Sequence, residues 1–237
     1  MMKKRNNKKG DTLIEVTLAV GIFSMVAVAV MAVMNGGAAS AQLALEATLA
    51  REEVDAQAEA LRFIQSAYIA EKSSGKSGDN AIYGKLWNKI TEEGNISSVS
   101  EDFPPSKCSA LYKDGGEAMR GFVINTRKLG VDGASAGDGD VILTEKGKLR
   151  QAVTYPRLVY GDDDSLTDDS NMDLDGAEGI YIVAVKDPGE TTINNTNKSA
   201  YYDFYIRTCW YGSGKSAPST IYTLVRLGDP DIGETGD

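Results

Sequence analysis

From Val16 to Met34 the chain carries no charged residue. With Leu13 and Ile14, the run reaches about 20 largely apolar residues, the length a helix needs to cross a bilayer. Such a helix satisfies its own backbone hydrogen bonds, which lipid cannot do for it. Lys3, Lys4, Arg5, Lys8 and Lys9 precede the run, and the next cation after it is Arg51. That asymmetry predicts a cytoplasmic N-terminus and an exported remainder. An ordinary secretory signal has a shorter apolar core and a small-residue cleavage site after it. Gly36, Gly37, Ala38 and Ala39 imitate such a site, but the run before them is too long. The odd residue is Glu15, a carboxylate at the entrance to the span. Charges so placed are costly and are functional candidates by default.

Two readings of Glu15 stand side by side. Thr12-x-x-Glu15 matches a capping box, and a carboxylate near a helix N-terminus is favoured by the macrodipole. The second reading comes from the neighbours. Lys9-Gly10-Asp11-Thr12-Leu13-Ile14-Glu15-Val16 and the apolar run behind it resemble the processing signal of type IV prepilins and pseudopilins. That signal is a basic leader ending in Gly, a hydrophobic first mature residue, Thr-Leu-Ile-Glu-Val or similar, and an uncharged span. The resemblance covers roughly the first 35 residues.

It implies cleavage behind Gly10 by a prepilin peptidase and methylation of the new amine on Asp11. It also implies a role for Glu15 in neutralising that amine on a neighbouring subunit during assembly. An ammonium and a carboxylate attract strongly in a low-dielectric core, so such a pair would fix axial register. One residue departs from the pattern: Asp11 stands where the family usually has Phe. That leans the resemblance toward a minor pilin or pseudopilin. The partners it implies are other pilin subunits, the peptidase, the inner-membrane assembly machinery and lipid. The location it implies is a single-pass cell-membrane protein that becomes part of an extracellular surface filament.

Behind the span, Asn35-Gly36-Gly37 is a weak point in a helix, since each glycine costs about 1 kcal/mol. A kink or a melted turn is expected there. Ala38 to Lys72 is then rich in helix formers and lacks Gly and Pro. Val54, Leu61 and Tyr68 recur every seven residues, with Ala50, Ala58 and Ile64 near the same stripe. Glu52, Glu53, Glu59 and Arg62 lie off it, so one face is to be buried. A coiled-coil stalk is the competing reading. The boundaries expected are a leader over 1–10, a membrane or filament-core helix over 11–35, a stalk helix over 36–72 and an exported head over 73–237.

In the head, a short helix is predicted over Asn80–Thr91. Strands are predicted at Phe122–Ile124, Val141–Leu143, Gly179–Lys186, Tyr201–Trp210 and Ser219–Leu227, the last two as an antiparallel hairpin. A long helix followed by consecutive strands argues for an α+β fold. By resemblance, the sheet packs on the second half of the long helix, as in a pilin head. Cys108 and Cys209 fit one disulfide if the head is exported; two unpaired thiols are the alternative.

Asn171-x-Asp173-x-Asp175-Gly176 resembles the start of a calcium loop, with Glu178 as a substitute for the missing closing glutamate. A solvated acidic loop is the bland reading. Asn194-Asn195-Thr196 is a glycosylation sequon.

The chain has no histidine, which removes the commonest general base and metal ligand. No catalytic constellation is recognisable, and no enzyme is expected. The net charge is −9 overall; without the leader's five cations the remainder carries −14. An acidic body is a poor partner for a phosphate backbone, so no nucleic-acid site is expected. The leading reading is a filament subunit. The alternative is a membrane-anchored surface binding or adhesion protein that does not polymerise.

Overall fold

The computed structural model describes residues 11–76, 81–92, 96–97, 105, 107–111, 121–129, 141–144, 148–161, 173–186, 190–193, 196–199 and 201–231. Two helices are described, α1 (Asp11–Ser73) and α2 (Ile82–Ile90), with a 3-10 turn at Cys108–Leu111. The strands are β1 (Ile96–Ser97), β2 (Val123–Ile124), β3 (Ile142–Leu143), β4 (Leu149–Arg150), β5 (Arg157–Tyr160), β6 (Leu174–Glu178), β7 (Ile180–Lys186), β8 (Glu190–Ile193), β9 (Thr196–Ser199), β10 (Tyr201–Trp210) and β11 (Ser219–Gly228). The fold is α+β, with one long N-terminal helix and mixed and antiparallel sheets.

The chain divides into two units, Met1–Ala44 and Leu45–Asp237. In the first unit, Asn35, Gly36 and Gly37 are helical, which corrects the expected melted turn. Their low propensity, about 1 kcal/mol each, weakens the helix without forcing it to break. In the second unit, α1 presents the predicted stripe. Ala50, Val54, Ala58, Leu61, Ile64 and Tyr68 are buried, while Glu52, Glu59 and Arg62 are exposed. The helix closes in a Schellman arrangement. Gly75 takes a φ of +73°, its N–H donates to Lys72 O at 2.9 Å, and Lys76 N–H donates to Glu71 O at 3.0 Å.

The largest sheet has the order β1-β7-β10-β11. β10 and β11 form the predicted antiparallel hairpin, in register from Tyr201↔Gly228 to Trp210↔Ser219. β7 runs antiparallel to β10, and Phe122 bridges to Ile182. Side chains alternate along a strand. Tyr202, Phe204, Ile206 and Thr208 are accordingly buried as one face, and the first three share a core with Leu61, Ile64 and Trp87. Trp87 meets Tyr202 and Phe204 edge-on, with ring centroids 5.9 and 6.0 Å apart. From Ile206 onward both faces of β10 are buried. There Cys209 is bonded to Cys108, so the disulfide ties the 3-10 turn to the strand. The expected bridge is present.

A second sheet, β4-β6-β5, was not predicted as such. It joins the first at Gly179, between β6 and β7. This residue has φ +68°, and a Cβ there would stand 2.5 Å from Ala152 Cβ and 3.0 Å from Cys209 O. Only glycine fits a left-handed residue so closely approached. Its N–H donates to Arg150 O and its carbonyl accepts from Cys209 N–H, so the crossing point is stitched to both sheets.

Candidate functional site

The first half of α1 is the feature that stands apart. Leu13, Ile14, Val16, Leu18, Val20, Ile22, and so on to Met34 are exposed all round, with Phe23 at 73% and Met25 at 79%. It is the one described helix long and apolar enough to cross a membrane. Its polar side chains are turned inward on the backbone. Thr17 Oγ1 donates to Leu13 O (3.1 Å) and Ile14 O (3.0 Å), and Ser24 Oγ donates to Val20 O (2.8 Å). This is how hydroxyls are accommodated where water is absent. Glu15 is the carboxylate left among these apolar neighbours, and it is exposed in the first turns of the helix. Asp11 and Thr12 are helical there too. Gly10 lies outside the described residues.

In the second half of α1, polar residues on or beside the buried stripe act as connectors. Gln57 is fully buried and pairs with Ile124 like a strand residue. Its Nε2 donates to Ile124 O, and its Oε1 accepts from Ile124 N–H, each at 2.8 Å. Glu71 accepts from the backbone N–H groups of Ile82 (3.0 Å), Tyr83 (2.9 Å) and Gly84 (3.2 Å). Ala81 supplies no side-chain cap to α2, so the Glu71 carboxylate caps it from another helix. Neither role was found from sequence; the available signal was a polar residue at a stripe position.

Tyr68 Oη donates to Asp231 (2.8 Å), and Lys72 reaches both Pro230 O (2.9 Å) and Asp231 (3.2 Å). This ties the end of the hairpin to the helix. Burial, with Asp229 and Asp231 nearby, pushes the Tyr202 hydroxyl up to about 12. Burial also raises the Glu53 carboxyl above its ordinary value, although a hydrogen bond from Gln57 and the charge of Arg127 pull it back.

The residues expected to hold calcium are not assembled. Asn171 lies outside the described residues. Asp173 pairs with Lys128, Asp175 is exposed on β6, and Glu178 is buried against Arg157 at 3.0 Å. Asp173 and Glu178 are engaged by different cations, Lys128 and Arg157, and the pairing of β6 with β5 is irregular at Asp175. Among the described residues no group of three acidic or sulfur ligands forms. Asn194 and Asn195 of the sequon also lie outside the described residues. Compared with known proteins, the chain matches no family model, no curated protein and no solved structure.

Proposed function

We propose that the chain is a structural subunit of a type IV pilus-like filament, held and assembled through the first half of α1. The observation that carries this reading is a helix apolar on every side, preceded by a basic leader and interrupted near its start by Glu15. A helix that is apolar all round must be enclosed by lipid or by other helices. A simple anchor needs only lipid, and asks nothing of Glu15 beyond its favourable place near the start of the helix. A filament core encloses the same surface with neighbouring helices and gives Glu15 a partner, the amine exposed by cleavage behind Gly10. The surface fraction, after cleavage, is then the place where the charge of Glu15 matters. The folded body behind the helix is the part the filament displays.

The test is Glu15→Gln, which keeps the shape and removes the charge. The variant is expected to insert and to be cut behind Gly10 like the wild type, but to be lost from filaments sheared off the cell surface. An uncompensated buried charge typically costs about 3–5 kcal/mol, enough to exclude a subunit. Wild-type amounts in the sheared fraction would rule out charge pairing and leave the non-polymerising anchored protein as the better reading.

A further inference from the structure

The start of α1 carries more negative charge than a chain stacked on its own copies can hold. Asp11 and Glu15 both lie within α1, four residues apart, so they stand on one face, one turn from each other. From Asp11 to Leu45 they are the only charged side chains in the sequence. The next cation along the helix is Arg51, about 54 Å beyond Glu15. The hydroxyls nearby are already engaged, because Thr17 donates to Leu13 O and Ile14 O and Ser24 donates to Val20 O. Among the described residues, no group donates a hydrogen bond to Glu15 or forms an ion pair with it. Cutting behind Gly10 adds one amine. One ammonium against two carboxylates leaves a surplus of one negative charge. The helix dipole contributes about half a positive charge at this end, so the start stays net negative. With a hydrophobic first residue, the amine and Glu15 would cancel.

At a wet membrane surface such a surplus costs little. Between packed apolar helices it is costly, since an unpaired charge loses its hydration and gains no partner. Copies of this chain following one another would repeat it at every step. A metal ion is a poor answer, because such ions take about six oxygen ligands, and Leu13, Ile14, Val16 and Leu18 offer no side-chain oxygen. A second chain can answer it. Resting on the filament reading, we infer that the neighbour at this end is a different chain, an apolar-helix subunit whose own start brings a cation without a matching carboxylate. This chain then does not follow itself in the filament. Glu15 remains necessary, because the partner's cation adds to the amine that must be neutralised. Asp11, the one departure from the resembled pattern, is the residue that selects the neighbour.

The test replaces Phe23, exposed on the span, by a photo-crosslinking phenylalanine analogue in the full-length chain in cells. The sheared surface fraction is irradiated, and adducts are identified by mass spectrometry. Adducts to another chain are expected several-fold above self-adducts. The first helical turn of that chain, its amine included, is expected to hold more cations than carboxylates. Asp11→Asn removes the surplus and is expected to raise the share of self-adducts several-fold. Asp11→Glu keeps the charge and is expected to behave like the wild type. A share that Asp11→Asn leaves unchanged would overturn the inference; it is the result expected if Asp11 simply takes up a proton. Self-adducts that predominate in the wild type, with the chain present in the sheared fraction, would overturn the inference alone. Absence of the chain from that fraction would overturn the filament reading as well, so the two failures are separable.

Discussion

The two halves of α1 share one backbone geometry and meet opposite demands. Between Leu13 and Met34 the surface is apolar on every side, and the hydroxyls are folded back onto carbonyls. Nothing within that unit covers it. Between Ala50 and Ser73 the apolar residues form one stripe, and Gln57 and Glu71 bond backbone groups of other elements. The second half is satisfied by its own chain; the first is not. The comparison teaches that the body needs no partner to explain its packing, whereas the apolar half is explained only by what surrounds it.

The largest expected effect falls wholly on the satisfied side. Replacing Cys108 and Cys209 together by serine frees a crosslink spanning 101 residues. By the chain-entropy argument this lowers the unfolding free energy of the body by about 4–5 kcal/mol. Urea titration of the detergent-solubilised chain, followed by the fluorescence of buried Trp87 and Trp210, reads it. An unchanged midpoint would mean that the body is held without the bridge.

Next is a matched pair that separates the halves directly. Leu61→Ala empties a fully buried position and is expected to cost the body about 3 kcal/mol. Val28→Ala removes a smaller group from a side chain that is 68% exposed, and it is expected to leave the same titration curve where it was. A body destabilised by Val28→Ala would break the separation.

The smallest effect is electrostatic. Glu53 is half-buried, and its folded pKa lies above its unfolded one, so the folded state holds the proton more tightly. Its contribution to stability is full below the ordinary glutamate value and is lost as pH rises through the raised value. Glu53→Gln is expected to flatten that fall, so that stability measured against pH diverges from the wild type only above the ordinary range. Parallel curves would show that Glu53 is not the group responsible.

Much of this was legible before any coordinates. The stripe through Val54, Leu61 and Tyr68, the hairpin Tyr201–Leu227 and the Cys108–Cys209 pair follow from spacing, alternation and count. β4, β5 and β6 were not legible. β4 has two residues and β5 four, and β6 begins inside an acidic stretch whose local pattern reads as a ligand loop. Pairing with β4 and β5 makes a strand of that stretch, and Lys128 and Arg157 engage Asp173 and Glu178 separately. The cap supplied by Glu71 was equally hidden, because a carboxylate 11 residues before the helix it caps leaves no local motif. The candidate site was clearest in sequence because its signals are contiguous: five cations, Gly10, Glu15 and an uncharged run.

The central claim is that this apolar half is processed and enclosed in a surface filament. The most direct measurement is the N-terminal mass of the protein recovered from filaments sheared off cells. The account predicts a chain beginning at Asp11, freed of the residues through Gly10. A chain in that fraction still beginning at Met1, or one found only in the membrane, would contradict it.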